Sequence, residues 1–282
     1  MIPVGRLAPV NQFDQTMLDD LLANRLHPTG LEFDRHEGYP ARVDGCCLII
    51  PGRYWHGHEA EISRAIARYG WVLLFITSDE ESLFDLSKVV HPNMKAWVQT
   101  PRQGRDYGGA RVFGVGYTPH VRMLPVEPSE KTLNVFLSAQ DTHQRRHDCF
   151  LHLEGLWSSR VHRTAGFTQG MDPAEYIRCM SKVKLAPAPS GAVSVDSFRA
   201  WEALEAGAIP VVDAVSPVDG RTDYWARLLG EVPFPVVDDW SQVLWTVLLE
   251  DWNPEPVQAW YRGYKQRLAE WLSTDLEQLG AL

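Results

Sequence analysis

Arg199 and Glu202 stand three residues apart in the segment Tyr176 to Asp213, YIRCMSKVKLAPAPSGAVSVDSFRAWEALEAGAIPVVD. On a helix that spacing puts a guanidinium and a carboxylate on one face. The guanidinium suits a diphosphate, and the carboxylate can accept two hydrogen bonds from ribose hydroxyls, so the pair fits a nucleotide. The same spacing also fits an internal ion pair on a solvated helix face. Just upstream, Ser194, Asp196 and Ser197 are N-cap residue types, and free N–H groups at a helix start bind phosphate. Ser190 and Gly191 lie in the loop that leads there. Arg145 and Arg146, in LNVFLSAQDTHQRRH, are further cations for a phosphate group, or else a solvated basic helix turn with one of the two exposed. A carboxylate or imidazole at the end of an apolar run is a candidate proton acceptor. Asp79, immediately after the apolar run WVLLFITS, is the first candidate, although an Asp there also reads as a helix N-cap. His58 and Glu59 in GRYWHGHE are its rivals. His56 and His58 form an H-x-H pair with no third ligand in view, so no metal is expected.

Those residues need a scaffold that brings loops together. Apolar runs of strand length alternate with helical patterns, which is the signature of βα units and a parallel sheet. The runs are Cys47 to Ile50, Trp71 to Thr77, Lys95 to Gln99, Leu133 to Ala139, Val161 to Ala165, Val183 to Ala186 and Ile209 to Asp213. Ile62, Ala65, Ile66 and Tyr69 recur at helical spacing between the first two, giving one βαβ unit. A helix is expected from about Asp196 to Gly207, with its N-terminus at the mouth of a sheet. Thr100 to Val126 breaks the alternation with glycine, arginine and proline and reads as loops, and a domain boundary is expected near Pro125 to Ser129. Val257, Trp260, Tyr261, Tyr264, Leu268, Trp271 and Leu272 mark a long closing helix started by Asn253 and Pro254.

The order of residues in SVDSFRAWEALEAGAIPVV resembles the C-terminal signature of the exostosin-like glycosyltransferases. That signature runs from a Ser/Pro-rich loop through S-x-R-x-x-E-A-L to G-x-I-P-V. The matching letters here are Ser197, Arg199, Glu202, Ala203, Leu204, Gly207, Ile209, Pro210 and Val211. The similarity covers about 40 residues and extends more weakly to LNVFLSAQDTHQRRH, HPNMKAWVQTP and VGYTP. It implies an α/β fold of GT-B type, two Rossmann-like domains with a cleft between them. On this reading residues 1–127 form the acceptor-side domain, 128–253 bind the nucleotide sugar, and 254–282 form a helix crossing back to the first domain. The resemblance also implies an inverting transfer from a UDP-sugar co-substrate. No Asp-x-Asp triplet occurs in the chain, so Arg199, backed by Arg145 and Arg146 and a helix dipole, is expected to stabilise the leaving diphosphate without a metal.

Composition bounds the rest. The 282 residues suit two domains, and 45% hydrophobic residues with 11 Trp supply ample core. Cys46, Cys47, Cys149 and Cys179 include no CxxC pair and suggest a reducing compartment. Without an apolar run of membrane length or a signal-peptide core, a cytoplasmic protein with no membrane partner is expected. The net charge of -9 is uneven, at -3 over residues 1–40, +2 over 41–125, 0 over 126–170 and -8 over 171–282. In the basic stretch, Arg102, Arg105, Arg111 and Arg122 alternate with Tyr107, Phe113 and Tyr117, which suits a loop on a phosphate backbone with a base stacked nearby, or a solvated loop packed locally. At this size the chain also resembles the small soluble glycosyltransferases of bacterial viruses, some of which add sugars to hydroxymethylated pyrimidines in DNA; that resemblance implies DNA bearing such a base, flipped into the site and met by Arg102, Arg105 and Arg111, as the acceptor partner. A bacterial glycan or surface polysaccharide is the alternative acceptor. A noncatalytic sugar-nucleotide or carbohydrate-binding protein is the second alternative.

Overall fold

In the computed structural model, which describes residues 1–7, 12–166 and 169–282, the unalternating apolar runs become strands covered on both faces, as parallel sheets require. The chain divides into two compact units, Met1–Val115 with Gly263–Leu282, and Gly116–Arg262. The first unit contains β1 (Ile2–Arg6), α1 (Gln12–Leu22), β2 (Phe33–Glu37), β3 (Cys46–Pro51), α2 (Gly52–Trp55), α3 (Glu59–Ile66), β4 (Val72–Thr77), β5 (Met94–Gln99) and β6 (Arg111–Phe113). Its six strands are all parallel, in the order β2-β1-β3-β4-β5-β6. Every residue of β3 and β4 is buried, and Ile62, Ile66 and Tyr69 pack on them, so the expected βαβ unit is present.

The second unit contains β7 (Leu133–Gln140), α4 (Gln144–Leu153), β8 (Ser159–Thr164), α5 (Pro173–Lys182), β9 (Val183–Ala188), α6 (Phe198–Glu205), β10 (Ile209–Asp213), α7 (Tyr224–Leu229), β11 (Val236–Val237) and α8 (Trp245–Glu250). Its five strands are parallel, in the order β11-β10-β9-β7-β8. The chain leaves β7 for β8 on one side and returns to β9 on the other. The loops after β7 and β9 therefore diverge at a topological switch point, where open α/β sheets bind ligands. Two doubly wound parallel sheets make this a two-domain Rossmann-like protein. Gly207, at φ +69°, ends α6 in the left-handed region, and the Lys131 ammonium donates to Ser181 O and Ala206 O at the C-terminal ends of α5 and α6.

Three expectations change. The boundary lies at Val115/Gly116 rather than at residue 127, because the 3-10 turn Pro119–Met123 belongs to the second unit and packs on α5. The last helix, α9 (Glu255–Gln278), is shared: residues through Arg262 belong to the second unit and Gly263 onward to the first. Thr100 to Val126 is not all loop, since Arg111–Phe113 pairs with β5 as the sheet's last strand. Among the described residues no helix is long and apolar enough to cross a membrane. All four cysteines are free and buried.

Candidate functional site

The site builds up at the carboxyl ends of β7, β9 and β10. Arg146, on the first turn of α4, is buried; its Nε donates to Ser190 O at 2.8 Å and its Nη1 to Gln140 O at 3.3 Å. No carboxylate pairs with it among the described residues, and burial, with Arg199 nearby, brings its affinity for a proton down to about 10. Arg199, on the first turn of α6, donates from Nε to Ser138 O at 2.7 Å. Among the described residues its other two guanidinium nitrogens have no acceptor, and it forms no ion pair with Glu202. Two positive charges thus stand at the switch point held only by main-chain carbonyls and, for Arg146, the Thr142 hydroxyl at 3.5 Å. Positive charge left without a carboxylate is what an anion site requires.

Arg145 plays a different part. It forms a bidentate pair with the fully buried Asp213 and donates to Asp238 O at 2.7 Å. Asp213 also accepts from Ser190 N at 3.4 Å and Val215 N at 3.1 Å. The Ser190 peptide is consequently gripped on both sides, its N–H by Asp213 and its carbonyl by Arg146 and by His143 Nε2 at 3.2 Å. Neither arginine of the pair is an exposed residue, contrary to the expectation from helical geometry, because Arg145 is drawn to buried Asp213 and Arg146 to the Ser190 and Gln140 carbonyls. Gly191 N donates to Ser194 O at 2.7 Å and Ser194 Oγ accepts from Asp196 N at 3.1 Å, folding the loop on itself. Asp196 accepts from Trp201 Nε1 at 2.7 Å and from the Tyr224 hydroxyl at 3.0 Å, so it braces α6 from inside.

Around this loop, buried polar atoms go unpaired. Ser190 Oγ, Ser197 Oγ and His143 Nδ1 are buried with no hydrogen-bond partner, although Ser197 is the N-cap of α6. A buried unpaired polar atom costs about 1–3 kcal/mol, and three on adjoining segments is a cost that a bound polar ligand offsets. Glu202 departs from the expected open ribose acceptor. It is buried, and its two oxygens accept from the Thr118 hydroxyl at 2.5 Å and the Tyr176 hydroxyl at 2.6 Å. Thr118 and Tyr176 are distant in sequence, so nothing in the 194–213 string signalled that pairing. Asp213 and His143 were equally invisible, being single polar residues at strand and helix ends.

In the first unit Asp79 follows β4 across Ser78, whose φ is +53°, and is 2% exposed. Its Oδ1 accepts from Leu83 N at 2.8 Å and Phe84 N at 3.2 Å, while Oδ2 has no partner among the described residues. A Cβ on Gly52, just after β3, would meet the Asp79 carboxyl at 2.6 Å, so only glycine lets the chain pass this close. Burial pushes the carboxyl up to about 6, against the opposing pull of the Phe84 and Leu83 amides, Arg105 and His56. The rivals are placed for other work. Burial raises Glu59, but bonds from backbone amides, including Asp85 N at 3.2 Å, win and hold it below the usual carboxylate range. His58 is exposed, with Nδ1 3.5 Å from Glu61. Among the described residues no cluster of three or more His, Cys, Asp or Glu side chains could hold a metal.

In the basic stretch two arginines are engaged within the protein. Arg111 pairs bidentately with Asp275 at 2.7 and 3.0 Å and lies over the Trp271 ring at 4.9 Å. Arg105 donates to Ser82 O at 2.6 Å and Phe84 O at 3.3 Å, tying down the loop after Asp79. Arg102 keeps an unpaired side chain among the described residues, its N–H donating to the Tyr107 hydroxyl at 2.7 Å. Tyr107, Phe113 and Tyr117 are all buried, so none of them offers a face for a base. The stretch packs inward because its aromatics supply core that the short β6 cannot. A scan against protein-family models finds no match for this chain, and a comparison with curated proteins finds none either.

Proposed function

We propose that this protein is a glycosyltransferase of GT-B type that moves a sugar from a nucleoside-diphosphate sugar to a hydroxyl acceptor. The observation that carries the reading is the pair Arg146 and Arg199, cations without carboxylates at the switch point of the second sheet, beside two unpartnered buried serine hydroxyls. A diphosphate supplies the charge and the acceptor oxygens that this arrangement lacks. The likeness of residues 197–211 to the exostosin-like signature points the same way. In an inverting transfer the acceptor oxygen attacks the anomeric carbon, the bond to the diphosphate breaks with its electron pair leaving on the phosphate oxygen, and a base takes the acceptor proton. Asp79, with a free carboxylate oxygen and a proton affinity near neutrality, is the base in this reading. Glu202 serves to hold Thr118, α5 and α6 together, and its two remaining lone pairs are what a ribose could use.

Of the two acceptor classes, the packing of residues 100–122 favours a glycan hydroxyl over a hydroxymethylated base in DNA. Arg105 and Arg111 are engaged within the protein, which takes two of the four arginines away from a phosphate backbone. The test is calorimetric titration of UDP into the parent and Arg199→Ala. The variant loses one bond to Ser138 O, so the fold should hold while UDP affinity falls about 10- to 100-fold. Equal UDP affinity in the two proteins would overturn the assignment, and turnover that collapses with salt only on hydroxymethylated DNA would restore the DNA acceptor.

A further inference from the structure

His143 is the N-cap of α4, one residue into the loop's grip, and the proposed donor site does not yet use it. Its Nε2 faces Ser190 O at 3.2 Å, and a carbonyl can only accept, so Nε2 carries the hydrogen and Nδ1 holds the lone pair. That lone pair is buried without a donor. The charges facing the ring are Arg146 on its own helix and Asp213 at the end of β10, and Asp213 is already paired with Arg145. Asp141, on the preceding loop, is paired with Arg163 and His147. Asp239, in the turn that packs on α4, accepts from Ser241. Arg199 adds its charge to that of Arg146. Burial first, and then the positive charge of Arg146, hold the ring below its ordinary proton affinity, against the opposing pull of the Ser190 and Gly191 main chain and Asp213, and so keep it neutral in the free protein.

We infer that His143 takes up a proton when a diphosphate occupies the site, becoming a third cation supplied only in the complex. This rests on the donor-site reading above. An anion beside Arg146 and Arg199 cancels the repulsion that disfavours the imidazolium, and Nδ1 is the one ring position left for the proton. Binding and protonation are then linked: between the free and bound titration points, each unit rise in pH weakens the nucleotide up to about tenfold. The experiment is isothermal calorimetry of UDP, and separately of inorganic pyrophosphate, near pH 7 in two buffers of different ionisation enthalpy, with the parent and His143→Gln. Gln can still donate to Ser190 O, and the ligand's own phosphate titration is common to both proteins. The parent should take up more protons per ligand than the variant, by a fraction approaching one, and show the steeper loss of affinity between pH 6 and 8. UDP binding with equal proton counts in both would overturn the inference and leave the donor site standing, whereas no UDP binding would overturn both. If the variant does not fold, the His143 ring resonance of the parent decides: a titration midpoint unmoved by UDP overturns the inference.

Discussion

A buried carboxyl such as Asp79 is poised by what surrounds it. Its folded proton affinity, about 6, lies above the ordinary Asp value of 3.8, so the folded state binds the proton more tightly. The stabilisation from that proton is full below about pH 4 and is lost as pH rises through 6. Asp79→Asn keeps an acceptor for the Leu83 and Phe84 amides and removes the buried charge. Thermal unfolding should find the variant more stable than the parent by about 1–3 kcal/mol at pH 7, with the gap closing below pH 4, while sugar transfer is lost and UDP binding is not. A variant no more stable at pH 7 would show that the carboxyl is not strained in place. Glu202 predicts the opposite balance. Glu202→Ala strands the Thr118 and Tyr176 hydroxyls, so the second unit should lose about 2–4 kcal/mol, visible as a lower Tm before any effect on nucleotide is measured.

At the scale of elements, α6 and the loop before it carry the site. Ser197 caps the helix by position and not by a bond, since its hydroxyl has no partner. Ser197→Ala therefore removes no hydrogen bond from the free protein; its stability should match or exceed the parent's, while UDP affinity falls. A lower Tm with unchanged UDP affinity would make Ser197 an ordinary cap. This element was legible in the sequence because its signals are local: strand, Pro-rich loop, N-cap types, an apolar helix face and Gly207. All seven strands expected from apolar runs are present, with ends shifted by a residue or two at most places. The strands that were missed are short or carry polar residues, such as Phe33–Glu37 at a sheet edge, where Asp34 to Glu37 are all exposed. The pairing of Asp213 with Arg145 spans 68 residues, and the grip on the Ser190 carbonyl spans 44 from Arg146. Spacing cannot report contacts that the sheet order creates. For the same reason the sequence could not show that Arg111 is paired, because Asp275 lies 164 residues beyond it.

For the whole molecule, the division into units is also a division of the chain's course. The first unit is finished by the last helix: Trp97 Nε1 donates to Asp275 Oδ2 at 2.8 Å, Arg111 pairs with the same carboxylate, and Trp271 meets Trp97 edge to face. Leu268, Leu272 and Leu276 are buried along that stretch of helix. Deleting residues 263–282 should therefore unfold the first unit and leave the second with a cooperative melting transition and the proposed UDP site. Retention of two transitions in the truncated chain would count against this.

That closing helix also sets a timetable. On the ribosome, β1 to β6 emerge first, yet Trp97 waits 178 residues and Arg111 164 for Asp275, while the whole of Gly116–Arg262 is synthesised in between. The second unit has all its strands within one uninterrupted stretch and can close as it is made, whereas the first holds an incomplete core until residues 263–278 of the last helix have been made. Of the two units, the one whose strands are made first is thus the one completed last, and in that interval its exposed β5 and β6 are the segments most in need of a chaperone.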